Sequence, residues 1–192
     1  MNSKAIAFIA LMGALGNVLF FISFHLGSIA EGVALDLSLI TTFVAAFYGG
    51  PLIGFLTGLF VGVFPGIYFG PLGHGSWLGL IGLPIGKSLT GLTAGLLCKG
   101  FNVNQRRHNS LLTVPLVLVS YIPECIFTVS YFVILLPYFI GGGGPAILAF
   151  VLPKAWVEIV FMSFFMAALA GNHGFNSFMA NFFVRYKTGL KS

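Results

Sequence analysis

Six long apolar runs follow one another along this sequence, separated by glycine–proline clusters and a few polar patches. A helix needs about 20 apolar residues to cross the hydrocarbon core of a bilayer. On that measure the runs predict membrane spans at 4–24, 33–48, 51–70, 78–98, 111–140 and 145–170. Charge supports the same reading. Nine Lys and Arg and four Asp and Glu make 7% of the 192 residues, against about 25% in an ordinary soluble domain. The net charge of +5 does not point to nucleic acid, because the basic residues are scattered rather than gathered on one face. A soluble enzyme, a disordered tail and a nucleic-acid-binding domain are thereby excluded. What remains is an integral membrane protein of the all-α class: a bundle of six transmembrane helices over residues 1–171, then a short amphipathic basic tail over 172–192.

The first run carries one lysine, continues through Asn17 to Phe24, and lacks a small-residue cleavage signature, so it reads as a membrane helix rather than a removed signal peptide. Cys98 and Cys125 have no CxxC spacing and no clustered histidine, which gives no basis for a disulfide framework, a zinc site or a metal. With six spans both termini share a side with the loops after the second and fourth spans. Those segments hold Lys4, Lys99, Arg106, Arg107, Arg185, Lys187 and Lys191, and the opposite loops hold no Lys or Arg. The positive-inside rule then places both termini in the cytoplasm of a multi-pass protein in the cell membrane. Phe175, Phe178, Phe182 and Phe183 with the terminal basic residues suit the tail to an anionic inner leaflet.

Glycines at 54, 58, 62 and 66 leave one face of the third span bare, and Gly82, Gly86, Gly91 and Gly95 do so less regularly in the fourth. Such faces let helix backbones approach closely, and packing inside the bundle is the expected use. Ala10-x-x-x-Ala14, with Gly13 beside it, is a similar device on the first span. The fifth span is long enough to kink at Pro123 or Pro137.

The order of several motifs carries a family likeness. The first span has its Ala-x-x-x-Ala, the second opens on Leu35-Asp36-Leu37-Ser38, and Tyr48-Gly49-Gly50-Pro51 precedes Gly54 and Gly58. Further on stand Tyr131-Phe132-Val133-Ile134-Leu135-Leu136-Pro137-Tyr138 and Leu152-Pro153-Lys154. Together these resemble the substrate-binding S components of energy-coupling-factor (ECF) transporters, most closely the riboflavin branch. The resemblance implies a vitamin or vitamin precursor bound from outside, near the external ends of the last three helices. It also implies partners: a transmembrane scaffold subunit and two ATPases that drive release to the cytoplasm. Ala10 and Ala14 would meet the scaffold, and Lys154 would hold the ligand. Ser130 and Val151 stand where the riboflavin branch carries asparagines, so the likeness leaves the ligand open, and Ser130 joins the ligand-binding candidates.

The charges inside spans are few: Asp36, Lys87, Glu124, Lys154 and Glu158. Each costs about 2.5–3.5 kcal/mol at the bilayer centre on insertion scales, which makes each a functional candidate. Lys154 and Glu158 are four residues apart and can pair along one helix face. Such a pair either neutralises itself and pins the packing, or meets a polar ligand group. Glu124 follows Pro123 and either accepts from the ligand or partners Lys87. Asp36 suits a helix N-terminus, where a carboxylate meets unpaired N–H groups. Trp77, Tyr121, Tyr131, Tyr138 and Trp156 are candidates to stack on a planar ring, with an aromatic belt as the other use of Trp77. The expected ligand-binding set is thus Lys154, Glu158, Glu124, Trp156, Tyr131, Ser130, Asp36 and Lys87. No phosphate-cradling motif and no nucleophile–base spacing is present, so neither catalysis nor a cofactor is expected. Two other classes stay open: a proton-coupled secondary transporter, and a structural subunit of a larger membrane complex.

Overall fold

The computed structural model describes residues 3–26, 28–30, 33–34, 36–73, 76–101, 103, 110–141 and 144–188. Glu31 and His74, which the six-span reading puts in external loops, lie outside the described residues, as do Leu35, Arg106, Arg107 and Lys191. The first span is helix α1 (Ser3–Leu26). A two-stranded antiparallel hairpin follows, β1 (Ser28–Ala30) with β2 (Val33–Ala34). Then come α2 (Leu39–Gly49), α3 (Pro51–Val61) and α4 (Val63–Phe69). Next is α5 (Ser76–Gly100). The fifth apolar run divides into α6 (Ser110–Ser120), α7 (Ile122–Ser130), a π-helical turn (Tyr131–Leu135) and α8 (Leu136–Phe139). Helix α9 (Gly144–Gly171) and α10 (His173–Thr188) close the chain.

Five of these segments are long and apolar enough to cross a membrane: 3–26, 51–69, 77–100, 110–139 and 144–171. The second predicted span is the exception. Its helix has only 11 residues, about 16 Å at 1.5 Å per residue. The reason lies at its entry. The Ser38 N–H donates to Asp36 Oδ1 at 3.0 Å, a local turn that diverts the chain from helix until residue 39. At its exit Gly50 adopts φ 89°, a conformation that side chains disfavour, and Pro51 at the first helical position launches α3.

The glycine face of the third span does pack inside the bundle. A Cβ built on Gly54 would strike Ala46 of α2 at 2.6 Å, and one on Gly58 would strike the Ser88 Cα at 2.7 Å. At Gly62 the obstacle is the backbone of Pro84, and at Gly95 it is Pro51. Helices α3 and α5 thus touch backbone to backbone, which fixes how far Lys87 on α5 stands from its neighbours. Helix α1 has two stripes of small residues. Gly13 and Gly16 face inward against Phe60, Val61 and Thr41, whereas Ala10 and Ala14 are exposed beside Leu11 and Val18.

Prolines explain the breaks. The fifth span is interrupted at Tyr121, two residues before Pro123, and loosens into the π turn before Pro137. The third span is interrupted at Gly62, three residues before Pro65. In an unbroken helix Phe64 N–H would donate to Phe60 O. Asn17 of α1 enters that gap: its Nδ2 donates to Phe60 O at 2.9 Å, and its Oδ1 accepts from Phe64 N at 3.1 Å. Asn17→Leu strands both backbone groups and is expected to cost about 1–3 kcal/mol. Thermal unfolding of the detergent-purified protein checks this, and an unchanged melting temperature would show that the break needs no bridge.

The C-terminal helix docks rather than projects. Tyr48 Oη donates to Asn176 Oδ1 at 2.6 Å, Met179 is buried, and the Phe182 ring lies 5.5 Å from that of Phe8. Cys98 is buried in the core, and both cysteines are free.

Candidate ligand-binding site

A cavity of about 810 Å³ opens between the end of α1, the start of α2, the end of α4, the first half of α5, α7 to α8, and α9. Its volume falls in the range of small-molecule sites, about 300–1,000 Å³. Its walls are mostly apolar and aromatic, with Tyr68, Phe69, Tyr121, Phe127, Tyr131 and Phe132. Asp36, Lys87, Glu124, Lys154 and Glu158, contributed by four separate elements, also line it.

The floor is a chain of charges. Lys87 Nζ lies 2.6 Å from Asp36 Oδ2 and donates to Ser38 Oγ at 2.7 Å. Lys87 is 3% exposed, so water screens this pair less than it would a surface pair. Asp36 Oδ1 accepts from the Ser38 N–H and hydroxyl, and the Asp36 N–H donates to Glu158 Oε1 at 2.6 Å. Glu158 in turn pairs with Lys154 at 3.2 Å. Two ion pairs from three distant stretches of chain are thereby joined through one backbone N–H. The four-residue spacing of Lys154 and Glu158 is used as the sequence suggests. Asp36 serves both as the turn acceptor at the α2 entry and as the counter-ion of Lys87.

Glu124 stands apart. Lys87 is engaged with Asp36 rather than with Glu124, which instead accepts a hydrogen bond from Thr90 Oγ1. Helix α5 supplies this contact because Thr90 lies one turn beyond Lys87 on the same face. Three residues further, Thr93 Oγ1 donates to Ser120 O at 2.6 Å, where the helix breaks ahead of Pro123. Beyond the break, on α7, Glu124 faces Gly86, where α5 has no side chain.

Two of the expected residues lie elsewhere. Ser130 does not line the cavity; its hydroxyl turns back to Ile126 O at 2.9 Å, one turn earlier in its own helix. Trp156 does not line it either, but packs edge-on against Tyr121 at 5.4 Å and braces that wall from behind. Of the aromatic candidates Tyr121 and Tyr131 reach the cavity, whereas Trp77 and Tyr138 are exposed and pack against Phe139. Sequence reasoning missed Tyr68 and Phe69 at the end of α4, which reach the cavity because the third span breaks at Gly62. It also missed Thr90, although the three-residue step from Lys87 was a usable signal.

No curated protein and no solved structure matches the chain. The family model described as ECF transporter, substrate-specific component matches residues 4–170, a stretch that holds every cavity-lining residue. The membrane-spanning helices, the cavity between them and this match agree, and the chain belongs to the substrate-specific components of ECF transporters.

Proposed function

We propose that this subunit captures a vitamin or vitamin-like small molecule from outside the cell in the 810 Å³ cavity and releases it to the cytoplasm when a scaffold subunit and two ATPases drive it. The observation that carries the reading is the cavity itself. It brings five acidic or basic side chains and seven aromatic rings together among membrane-spanning helices, where charge is costly unless it serves a site. Lys154, Glu158, Glu124, Tyr131, Asp36 and Lys87 are the ligand-facing set. In this reading the short α2 is the second of six crossings. Both termini are cytoplasmic, because the loops at the cavity end carry no Lys or Arg. The tail helix lies against the inner leaflet, held to the bundle by Tyr48 and Phe8.

Among the branches of the family the motif pattern lies nearest the riboflavin one, but the departure at Val151 bears on the ligand. Val151 lines the cavity and offers no hydrogen bond where that branch has an asparagine, which weighs against riboflavin itself.

Mass spectrometry of protein purified without added vitamin is expected to release a heterocyclic small molecule in near-equal amount to the protein. Failure of every vitamin to bind at high micromolar concentration would sink the reading. Ala14→Trp, on the exposed face of α1, is expected to leave that binding intact and abolish ATP-driven uptake into vesicles that hold all subunits. Uptake driven by a proton gradient without ATPases would replace the reading with a secondary transporter. Stable co-purification with unrelated membrane subunits would point to a structural role.

A further inference from the structure

The charges lining the cavity do not balance. Two lysines face three carboxylates, and each lysine is already committed: Lys87 to Asp36 at 2.6 Å and Lys154 to Glu158 at 3.2 Å. Among the described residues Glu124 has no ion-pair partner within 4 Å. One of its oxygens, Oε2, accepts from Thr90. The other, Oε1, lies over the bare face of Gly86, near enough that a Cβ there would stand 3.7 Å away, and it takes no hydrogen bond between described residues. An uncompensated carboxylate in a low-dielectric site is costly, a cost that a ligand carrying positive charge would remove.

The surroundings narrow what that molecule is. Phe127, one turn from Glu124, and Tyr131, packed over Gly82, flank the same wall. Aromatic faces attract planar cations and stack on flat rings. An anionic ligand, in contrast, meets a site whose cations are both engaged, and has to open a buried ion pair to find a partner.

Resting on the assignment of this cavity as the ligand site, we propose that the ligand is a planar heterocycle without net negative charge. It presents a protonated nitrogen or an amino-substituted ring edge to Glu124 Oε1. Glu124 is therefore the residue that determines specificity by charge, and the two ion pairs form a closed polar floor beneath the ligand.

Three isosteric probes test this on the full chain in detergent: benzamidine (cation), benzamide (neutral) and benzoate (anion), each followed by ligand-observed NMR titration. A hydrogen bond between charged groups predicts benzamidine binding about tenfold or more tighter than benzamide, with no saturable binding of benzoate. Glu124→Gln is expected to erase the preference for benzamidine while benzamide still binds. That pattern separates a charge contact from a structural role, since a collapsed cavity would lose both probes. Where the variant does not fold, the wild-type probe order decides alone. Equal or better binding of benzamide or benzoate, or no saturable binding of benzamidine, overturns the proposal. The assignment of the cavity fails separately, when no vitamin binds. A co-purified anionic molecule whose affinity is unchanged by Glu124→Gln sinks the charge assignment while leaving the cavity in place.

Discussion

Gly58→Leu is expected to abolish recovery of folded protein from the membrane, and Gly58→Ala to lower stability by about 1–3 kcal/mol. A Cβ at this position meets the Lys87 carbonyl and the Ser88 Cα, the latter at 2.7 Å. These are backbone atoms in the middle of α5, so no side-chain rotation makes room. The neighbouring contacts at Gly54 against Gly91 and at Gly62 against Pro84 hold the same two backbones together, which prevents α5 from tilting away locally. Alanine favours a helix over glycine by about 1 kcal/mol, so a net loss of stability shows that the clash exceeds the propensity gain. Gly100→Ala provides the control, because a Cβ there meets nothing within 4 Å. Recovery of folded protein from the membrane reads Gly58→Leu, and thermal unfolding in detergent reads the two alanine variants. A Gly58→Ala protein as stable as the Gly100→Ala protein would show that the α3–α5 contact is not close-packed.

Lys87→Met comes next in magnitude. Lys87 is 3% exposed, and its ammonium holds Asp36 Oδ2 at 2.6 Å. Removing one partner of a buried pair leaves the other charge uncompensated, at about 3–5 kcal/mol. For a chain of this size that corresponds to a melting temperature lowered by roughly 6–20 °C. The fault lies in the stranded carboxylate rather than the lost lysine, so Lys87→Met combined with Asp36→Asn is expected to recover most of the loss. Asn at 36 keeps an Oδ1 to accept the Ser38 N–H and preserves the turn that starts α2. If the double substitution is as unstable as the single one, then Lys87 matters through packing against Ser38 and α2, not through charge.

Both effects reach the ligand site. Displacing α5 at Gly58 moves Lys87, and losing Lys87 releases Asp36, whose N–H holds Glu158 Oε1 at 2.6 Å. The floor of the cavity is therefore coupled to the glycine packing of the third and fourth spans.

The limits of the helices were largely legible in the sequence. The predicted 4–24, 51–70, 78–98, 111–140 and 145–170 lie within a few residues of the segments found. Hydropathy adds up along a run, and glycine–proline clusters end it. The second span was misjudged at its start because Asp36 and Ser38, polar residues inside an apolar run, build a turn there. The inward use of the glycines at 54, 58, 62 and 66 was also legible, since four-residue spacing places them on one face whatever the partner. The pairing of Lys154 with Glu158 was legible for the same reason, being internal to one helix. The partner of Lys87 was not: Glu124 and Asp36 were equally available in the sequence, on different elements. Ser130 was carried in by resemblance, and its own backbone claims its hydroxyl.

By itself, then, the sequence determined that this chain crosses a membrane, which faces of its helices are bare, and which few side chains carry charge. These are properties of single residues or of one helix, repeating every turn. The tertiary structure alone decided that Lys87 meets Asp36, that Asp36 meets Glu158, and that Glu124 keeps an oxygen open to the cavity. Each helix residue turns about 100° and rises about 1.5 Å, so a one-residue change in how two helices sit together sends a side chain to a different neighbour. That offset is set by backbone contacts such as Gly58 against Lys87, and no local pattern encodes it.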